Sequence, residues 1–178
     1  MSDFAGHVFI GVSVDGYIAK PGGDLDWLTK RGLAFETTGY DDFIASVDGL
    51  IVGRHTYETV LEMEEWPYTK PVFVLSTSLD PASVARDEVQ VHRDIESVVA
   101  AFTQAGFSDA YVDGGVTIQA FLRAGLIDTL ILSHAPVLIG GGAPLFGELA
   151  KDVDLELVET KPLGAGFVQT KYRVAASS

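Results

Sequence analysis

The chain has 178 residues, 25 acidic against 12 basic side chains, a formal net charge of −13, 47% hydrophobic residues and no cysteine. That length and apolar content exclude a disordered chain and give one sizeable core, so residues 1–178 read as a single domain. The acidic balance argues against nucleic acid, and the lack of cysteine removes disulfides, thiolate zinc sites and cysteine nucleophiles together.

Met1 to Phe4 carries no basic region ahead of an apolar core, so no signal peptide is expected. No apolar run approaches the ~18 residues that cross a bilayer. The expectation is a cytoplasmic protein with small-molecule partners and no membrane contact. His7 to Val14 alternates, with Val8, Ile10, Val12 and Val14 on one face, and reads as a strand. Asp15-Gly16 supplies turn chemistry, Tyr17-Ile18-Ala19 resumes an apolar stretch, and Pro21-Gly22-Gly23 ends it. Tyr40, Phe43, Ile44 and Val47 recur at helical spacing, with Asp41 and Asp42 in a first turn where the helix dipole favours acids. Leu50-Ile51-Val52 is a short apolar run ending at Gly53, and Tyr57, Val60 and Leu61 begin another helix. Val72 to Leu75 is a continuous apolar run of the kind buried on both faces, and Val89 and Val91 point to a short strand.

Residues 94–105 read as the clearest helix. Asp94 caps it, Ile95, Val98, Val99 and Phe102 make one stripe, and Gly106 ends it. Ala110-Tyr111-Val112 is a strand running into Asp113-Gly114-Gly115, and Ile118, Phe121 and Leu122 mark a helix stopped by Gly125. Leu126 to Ser133 is a further strand, which Ala135 to Ile139 carries past Pro136. Residues 155–161 and 166–174 flank Pro162 to Gly166 as a hairpin, and Ala175 to Ser178 read as a frayed tail. Strands alternating with helices imply an α/β fold with a mostly parallel central sheet, and the closing hairpin adds an antiparallel edge.

Ligands of such sheets bind beyond the carboxyl ends of the strands. Three segments there carry chemistry: Leu50 to Glu58 and Tyr111 to Gln119, each strand into helix, and Val72 to Ser78, a strand ending in three hydroxyls. A strand-to-helix junction points free backbone N–H groups and a positive helix end at one spot, and glycine lets a phosphate come close. Two such junctions, Arg54 and the hydroxyl run can hold a polyphosphorylated dinucleotide. Neither G-x-G-x-x-G nor the P-loop pattern occurs, Gly140-Gly141-Gly142 reads as a structural turn, and the four histidines fall at no metal-ligand spacing.

Six pieces in order carry a resemblance: Ser13 to Ala19, Gly23 to Leu28, Gly53-Arg54-His55-Thr56-Tyr57-Glu58, Val74 to Ser78, Val112 to Gly115, and Ala135 to Gly142. Over nearly its whole length the chain resembles the dihydrofolate reductase superfamily, nearest the reductase domain of bifunctional riboflavin-biosynthesis proteins (the RibD C-terminal domain) and its stand-alone bacterial relatives. The resemblance implies a three-layer dihydrofolate reductase-like fold with about eight strands and an NADPH site across the carboxyl edge. It implies that Gly53, Arg54 and Thr56 meet the phosphates, Ser76, Thr77 and Ser78 face the adenosine 2′-phosphate, and Gly114, Gly115, Val116 and Thr117 cradle the pyrophosphate. Gly11, Ile18 and Ala19 then lie along the nicotinamide, under a loop from Asp15 to Trp27. Asp113 stands where the family has glycine or an apolar residue, and a carboxylate beside a pyrophosphate is unfavourable unless it points away or bonds its own loop.

The resemblance also implies a carboxylate on the helix after the first loop that supports substrate protonation. Asp41 is the choice for it, with Glu36 and Asp42 as alternatives. Lys70 replaces the arginine of folate-reducing members, which cannot be matched bidentately by lysine and weakens folate as substrate. Trp27, Tyr40 and Trp66 are the expected walls of a pocket for a flat heterocycle. The function so implied is an NADPH-dependent reductase acting on a C=N or C=O group of a pterin- or pyrimidine-like ring. A non-catalytic NADP(H)-binding module or sensor, and a structural dimer retaining only the fold, are the alternatives. A homodimer is expected, through Leu126–Ile139 or the final hairpin.

Overall fold

Alternation along Ala5–Ser13 makes β1 a two-faced strand in the middle of the sheet, in a computed structural model that describes residues 3–176. Val8 and Val12 enter the core on one side and Phe9 the core on the other. Val14 falls just past the strand and is exposed, so the expected stripe ends one residue early. Then follow β2 (Tyr17–Ala19), α1 (Asp26–Thr29), α2 (Tyr40–Ser46), β3 (Gly49–Gly53), α3 (Arg54–Leu61), β4 (Val72–Leu75) and β5 (Val89–His92). The second half holds α4 (Ile95–Gln104), β6 (Asp109–Asp113), α5 (Gly115–Arg123), β7 (Ile127–Ala135), β8 (Ala143–Pro144), β9 (Leu155–Gly164) and β10 (Phe167–Val174).

The main sheet has eight strands in the order β5-β4-β3-β6-β1-β7-β10-β9, while β2 and β8 pair separately. From β5 to β7 every pairing is parallel, and β10 and β9 close the sheet antiparallel. On one face α4 and α5 bury Phe102, Ile118 and Phe121 against Val8, Ile51, Phe73 and Val112. On the other, α2 and α3 bury Phe43 and Tyr57 against Phe9, Val52, Val74 and Tyr111. Three layers result, as expected for this alternation of elements. The α4 helix starts with a reciprocal cap in which the Asp94 carboxylate accepts from the Ser97 N–H at 2.7 Å.

Three segments differ from the sequence reading. β7 stops at Ala135, because Pro136 has no N–H for the ladder and the Val137 N–H turns back to the Ala135 carbonyl at 2.8 Å. The hairpin strands run on to Gly164, leaving Ala165-Gly166 as the turn, with φ of 53° and 79° at the two residues. Positive φ at both central residues matches the turn twist to the strand twist. The Ala175 N–H donates to the Asp154 carbonyl at 2.9 Å, so the chain is held that far; Ser177 and Ser178, like Met1 and Ser2, lie outside the described residues. The short pieces α1, β8 and the 3-10 turns at Pro21–Gly23, Phe35–Thr38 and Pro81–Ser83 have too few residues to show a period. No helix among the described residues is long and apolar enough to cross a membrane.

Strands β3 and β6 are neighbours, yet β3 leads through α3 to β4 on one side while β6 leads through α5, across β1, to β7 on the other. Connections that diverge from adjacent strands leave a crevice at their carboxyl ends. It opens beyond Gly53 and Asp113.

Candidate active site

Both helices at this crevice begin without a side-chain cap: Gly53 precedes α3 and Gly114 precedes α5. Their first-turn N–H groups are left for another acceptor. The junctions abut so closely that a β-carbon on Gly53 would stand 2.7 Å from Thr117 Oγ1, and one on Gly114 would stand 2.9 Å from Thr56 Oγ1. Neither threonine hydroxyl has a hydrogen-bond partner among the described residues, although Thr117 is only 4% exposed. Gly114 also has φ of 100°, a conformation glycine takes without cost. Val116 stands out from the first turn of α5, 80% exposed.

Arg54 spans from this cradle to the end of β4. Its Nε donates to Glu58 at 2.8 Å and its Nη1 to Ser78 Oγ at 2.7 Å. Thr77 and Ser78 are exposed, whereas Ser76 is buried and its hydroxyl accepts from the Ser78 and Leu79 N–H groups at 3.2 and 3.0 Å. Ser76 therefore shapes the hydroxyl turn from beneath. Sequence reasoning missed Arg93, whose guanidinium donates to the Ser76 carbonyl at 2.9 Å and adds a second exposed cation beside Arg54's loop. Its position just after β5, in parallel register with β4, was the available signal.

Ile18 and Ala19 lie in β2, which with β8 covers the start of α5: a β-carbon on Gly115 would meet Ile18 Cδ1 and the Pro144 carbonyl, both at 3.1 Å. The Asp15 carboxylate fastens this cover. It accepts from the Ser13 hydroxyl at 2.6 Å and from the Ile139 and Gly140 N–H groups at 3.1 and 2.7 Å, which together hold its pKa below the usual value. Gly140-Gly141-Gly142 is thus a turn that receives the first loop, and Gly142 lies against the Ala19 carbonyl too tightly for any side chain. Gly11 faces the α2 side of the sheet, and Leu28 occupies the space above it.

Asp113 points down into that same side. Its Oδ1 accepts from the Gly114 N–H of its own loop at 2.8 Å, and Tyr111 Oη donates to Oδ2 at 3.4 Å. Burial raises its pKa, against the pull of those two donors. Tyr40, Tyr68 and Tyr111 gather around this carboxylate: burial first, then the Asp113 charge, pushes Tyr40 up to about 12 and raises the other two phenols as well. The Tyr40 ring packs on Phe9 and Phe35 at 5.5 and 5.2 Å. Trp66 packs on Tyr68 at 5.3 Å, with the Arg86 guanidinium 4.4 Å from its ring centre.

Glu36, Asp41 and Asp42 are exposed, Asp41 and Asp42 on the solvated first turn of α2, so the structure does not supply the burial an acid at Asp41 calls for. Trp27 is core rather than open wall, buried with Ala135 and Phe167. Lys70 donates to the Val47 carbonyl at the end of α2, at 2.9 Å.

Residues 6–169 match the family model of the RibD C-terminal domain. The chain is 36% identical to the uncharacterized protein YwjB of Bacillus subtilis (strain 168) over 172 residues, covering 93% of this chain and 95% of that one. It superposes with a TM-score of 0.90 and 38% identity on a candidate riboflavin biosynthesis protein from Shewanella sp. PV-4, covering 97% of this chain and 100% of the other. Dihydrofolate reductase from Enterococcus faecalis, complexed with NADP(H) and RAB-propyl, shares the fold at a TM-score of 0.70 and 18% identity, with 99% of each chain covered.

Proposed function

The chain belongs to the RibD C-terminal domain family, and from that premise we propose that it is an NADPH-dependent reductase transferring hydride to a C=N or C=O group of a small, flat pterin- or pyrimidine-like ring. The observation that carries this reading is the meeting of two uncapped glycine-led helix starts, with two unpartnered threonine hydroxyls between them, at the switch point of the sheet. Such a cradle fits a pyrophosphate: every group facing it donates, and side chains are absent where close approach is needed.

In this reading Gly53, Thr56, Gly114, Gly115, Val116 and Thr117 hold the pyrophosphate. Arg54, Thr77 and Ser78, joined by Arg93, hold the 2′-phosphate, and Ser76 sets their turn. Ile18 and Ala19 flank the nicotinamide, while Gly11, which faces the α2 side, leaves room for the substrate ring. Bound NADPH supplies the hydride. The chain supplies position, exclusion of water by the β2–β8 cover, and a proton. Asp113 is the acid we favour over Asp41, because its burial keeps the carboxyl protonated to higher pH than an exposed aspartate. The acceptor carbon receives the hydride, its nitrogen or oxygen receives the Asp113 proton, and the carboxylate is reprotonated from solvent. Tyr40 and Trp66 wall the ring.

Self-association belongs on β9. β7 lies between β1 and β10, so its backbone is already paired, whereas β9 ends the sheet with Leu155, Leu157 and Val158 exposed. A second copy of the chain is the partner we assign to that edge.

Titration with NADPH and NADH, followed by tryptophan quenching, tests the cofactor reading. Saturable binding with NADPH much the tighter is expected; no binding of either overturns it. Binding without turnover on any pterin or pyrimidine substrate would leave the non-catalytic module.

A further inference from the structure

Across the α2 side of the sheet, Gly11, Ser133 and Gln169 stand in one row, each opposite the next in strand register. Ser133 and Gln169 are 5% and 6% exposed. Gln169 Nε2 donates to the Thr38 carbonyl and to Ser133 Oγ, both at 3.0 Å. The Thr38 carbonyl can only accept, which fixes the amide with its nitrogen inward. Two hydrogen-bonding functions then have no partner among the described residues, the Gln169 Oε1 acceptor and the Ser133 hydroxyl proton; the buried Trp27 indole N–H, packed by Ala135 and Phe167 two residues along the same strands, is a third. Buried groups of this kind are costly unless something meets them.

Gly11 contributes no side chain to the row, and the group above it is the end of the flexible Leu28 side chain, 2.9 Å from where a β-carbon would stand. A ring replacing those methyls over Gly11 would have Asp113, from β6, on one side and Ser133, from β7, on the other, since these strands flank β1. Resting on the reductase reading above, we infer that Ser133 and Gln169 are specificity-determining residues that read a lactam edge of the substrate ring. The amide oxygen accepts the ring N–H, and the serine hydroxyl donates to the adjacent ring C=O. A ring lacking the N–H leaves Gln169 Oε1 unmet in a residue only 6% exposed, which is how the pair selects.

The test uses the full chain saturated with NADP+, so that no turnover occurs, and follows the fluorescence of added pterin and of 3-methylpterin, in which the lactam N–H is replaced. Wild type is expected to bind pterin saturably and 3-methylpterin about tenfold more weakly. Ser133→Ala should weaken pterin about tenfold, and Gln169→Met should abolish the preference for pterin over its methyl derivative. NADPH affinity should stay unchanged in both variants. Equal binding of the two rings by wild type, or unchanged pterin binding by Ser133→Ala, overturns the inference and leaves the pair closed by an internal water. No pterin binding by a protein that binds NADPH overturns the lactam assignment alone, while loss of NADPH binding by wild type overturns the reductase reading beneath it. Ser133→Ala removes a single oxygen, so the test stands even if Gln169→Met fails to fold.

Discussion

The Thr117 hydroxyl stands 2.7 Å from the point where a β-carbon on Gly53 would lie, while the Gly53 backbone, at φ −78°, is one that any residue adopts. Glycine is needed here for nearness and not for a turn. Gly114, sixty-one positions later in the chain and facing Thr56, needs both.

Gly53→Ala should therefore weaken NADPH at least tenfold and cost less Tm than Gly114→Ala, because the added methyl must displace the Thr117 hydroxyl but leaves the backbone conformation unstrained. Gly114→Ala should lose binding and also about 1–3 kcal/mol of stability from its strained φ. Parallel cofactor titration and thermal melting separate the two. A Gly53→Ala variant that binds as wild type would refute the cradle.

Asp113→Asn keeps an oxygen for the Gly114 N–H and removes the titration. The raised pKa of Asp113 means that its contribution to stability is present below the ordinary value of 3.8 and is lost as pH rises through the folded-state value. The variant should gain on wild type as pH climbs across that window and hold the gain above it, as denaturant unfolding at several pH values would show. Reduction should fall about a hundredfold. Asp41→Asn should leave the rate of reduction unchanged.

Arg54→Lys loses the fork that reaches Ser78 and Glu58 together. The ratio of NADPH to NADH affinity should drop about tenfold, the loss of one charge-assisted hydrogen bond. Arg93→Ala should lower the same ratio. Equal losses for both cofactors would move these residues away from the 2′-phosphate.

Leu157 is 62% exposed on the free edge strand. If the chain pairs through β9 as proposed, wild type should sediment as a dimer and Leu157→Lys as a monomer, with the far-ultraviolet spectrum retained. A wild-type chain that sediments as a monomer would refute the assignment to β9.

The strand-helix alternation was legible because each strand and each long helix carries its own period or cap, as Asp94 and Ser97 do. The glycine junctions were legible for the same reason: the whole motif sits within a few residues. Asp113 was legible as a departure, and the structure resolves it by turning the carboxylate to its own loop and down among the tyrosines. Ser133 and Gln169 left no local trace. They lie in ordinary strand positions and meet through the register of β7 and β10, which no short window of sequence contains. Asp41 illustrates the same point, since an acid at a helix start looks the same in sequence whether it faces a pocket or water.

The helices that form the cradle arrive from opposite layers, α3 from one face of the sheet and α5 from the other. Their starts are therefore fixed relative to each other by the two paired strands β3 and β6, not by helix-to-helix packing. An insertion in the exposed turn Glu62–Glu65, between α3 and β4, lengthens a surface loop ahead of Trp66 and leaves the cradle in step. One added residue at Gly53 or Gly114 would shift a helix start by roughly 1.5 Å along its axis, out of step with its counterpart. Length variation among homologous chains should accordingly gather in the first kind of place and be missing from the second.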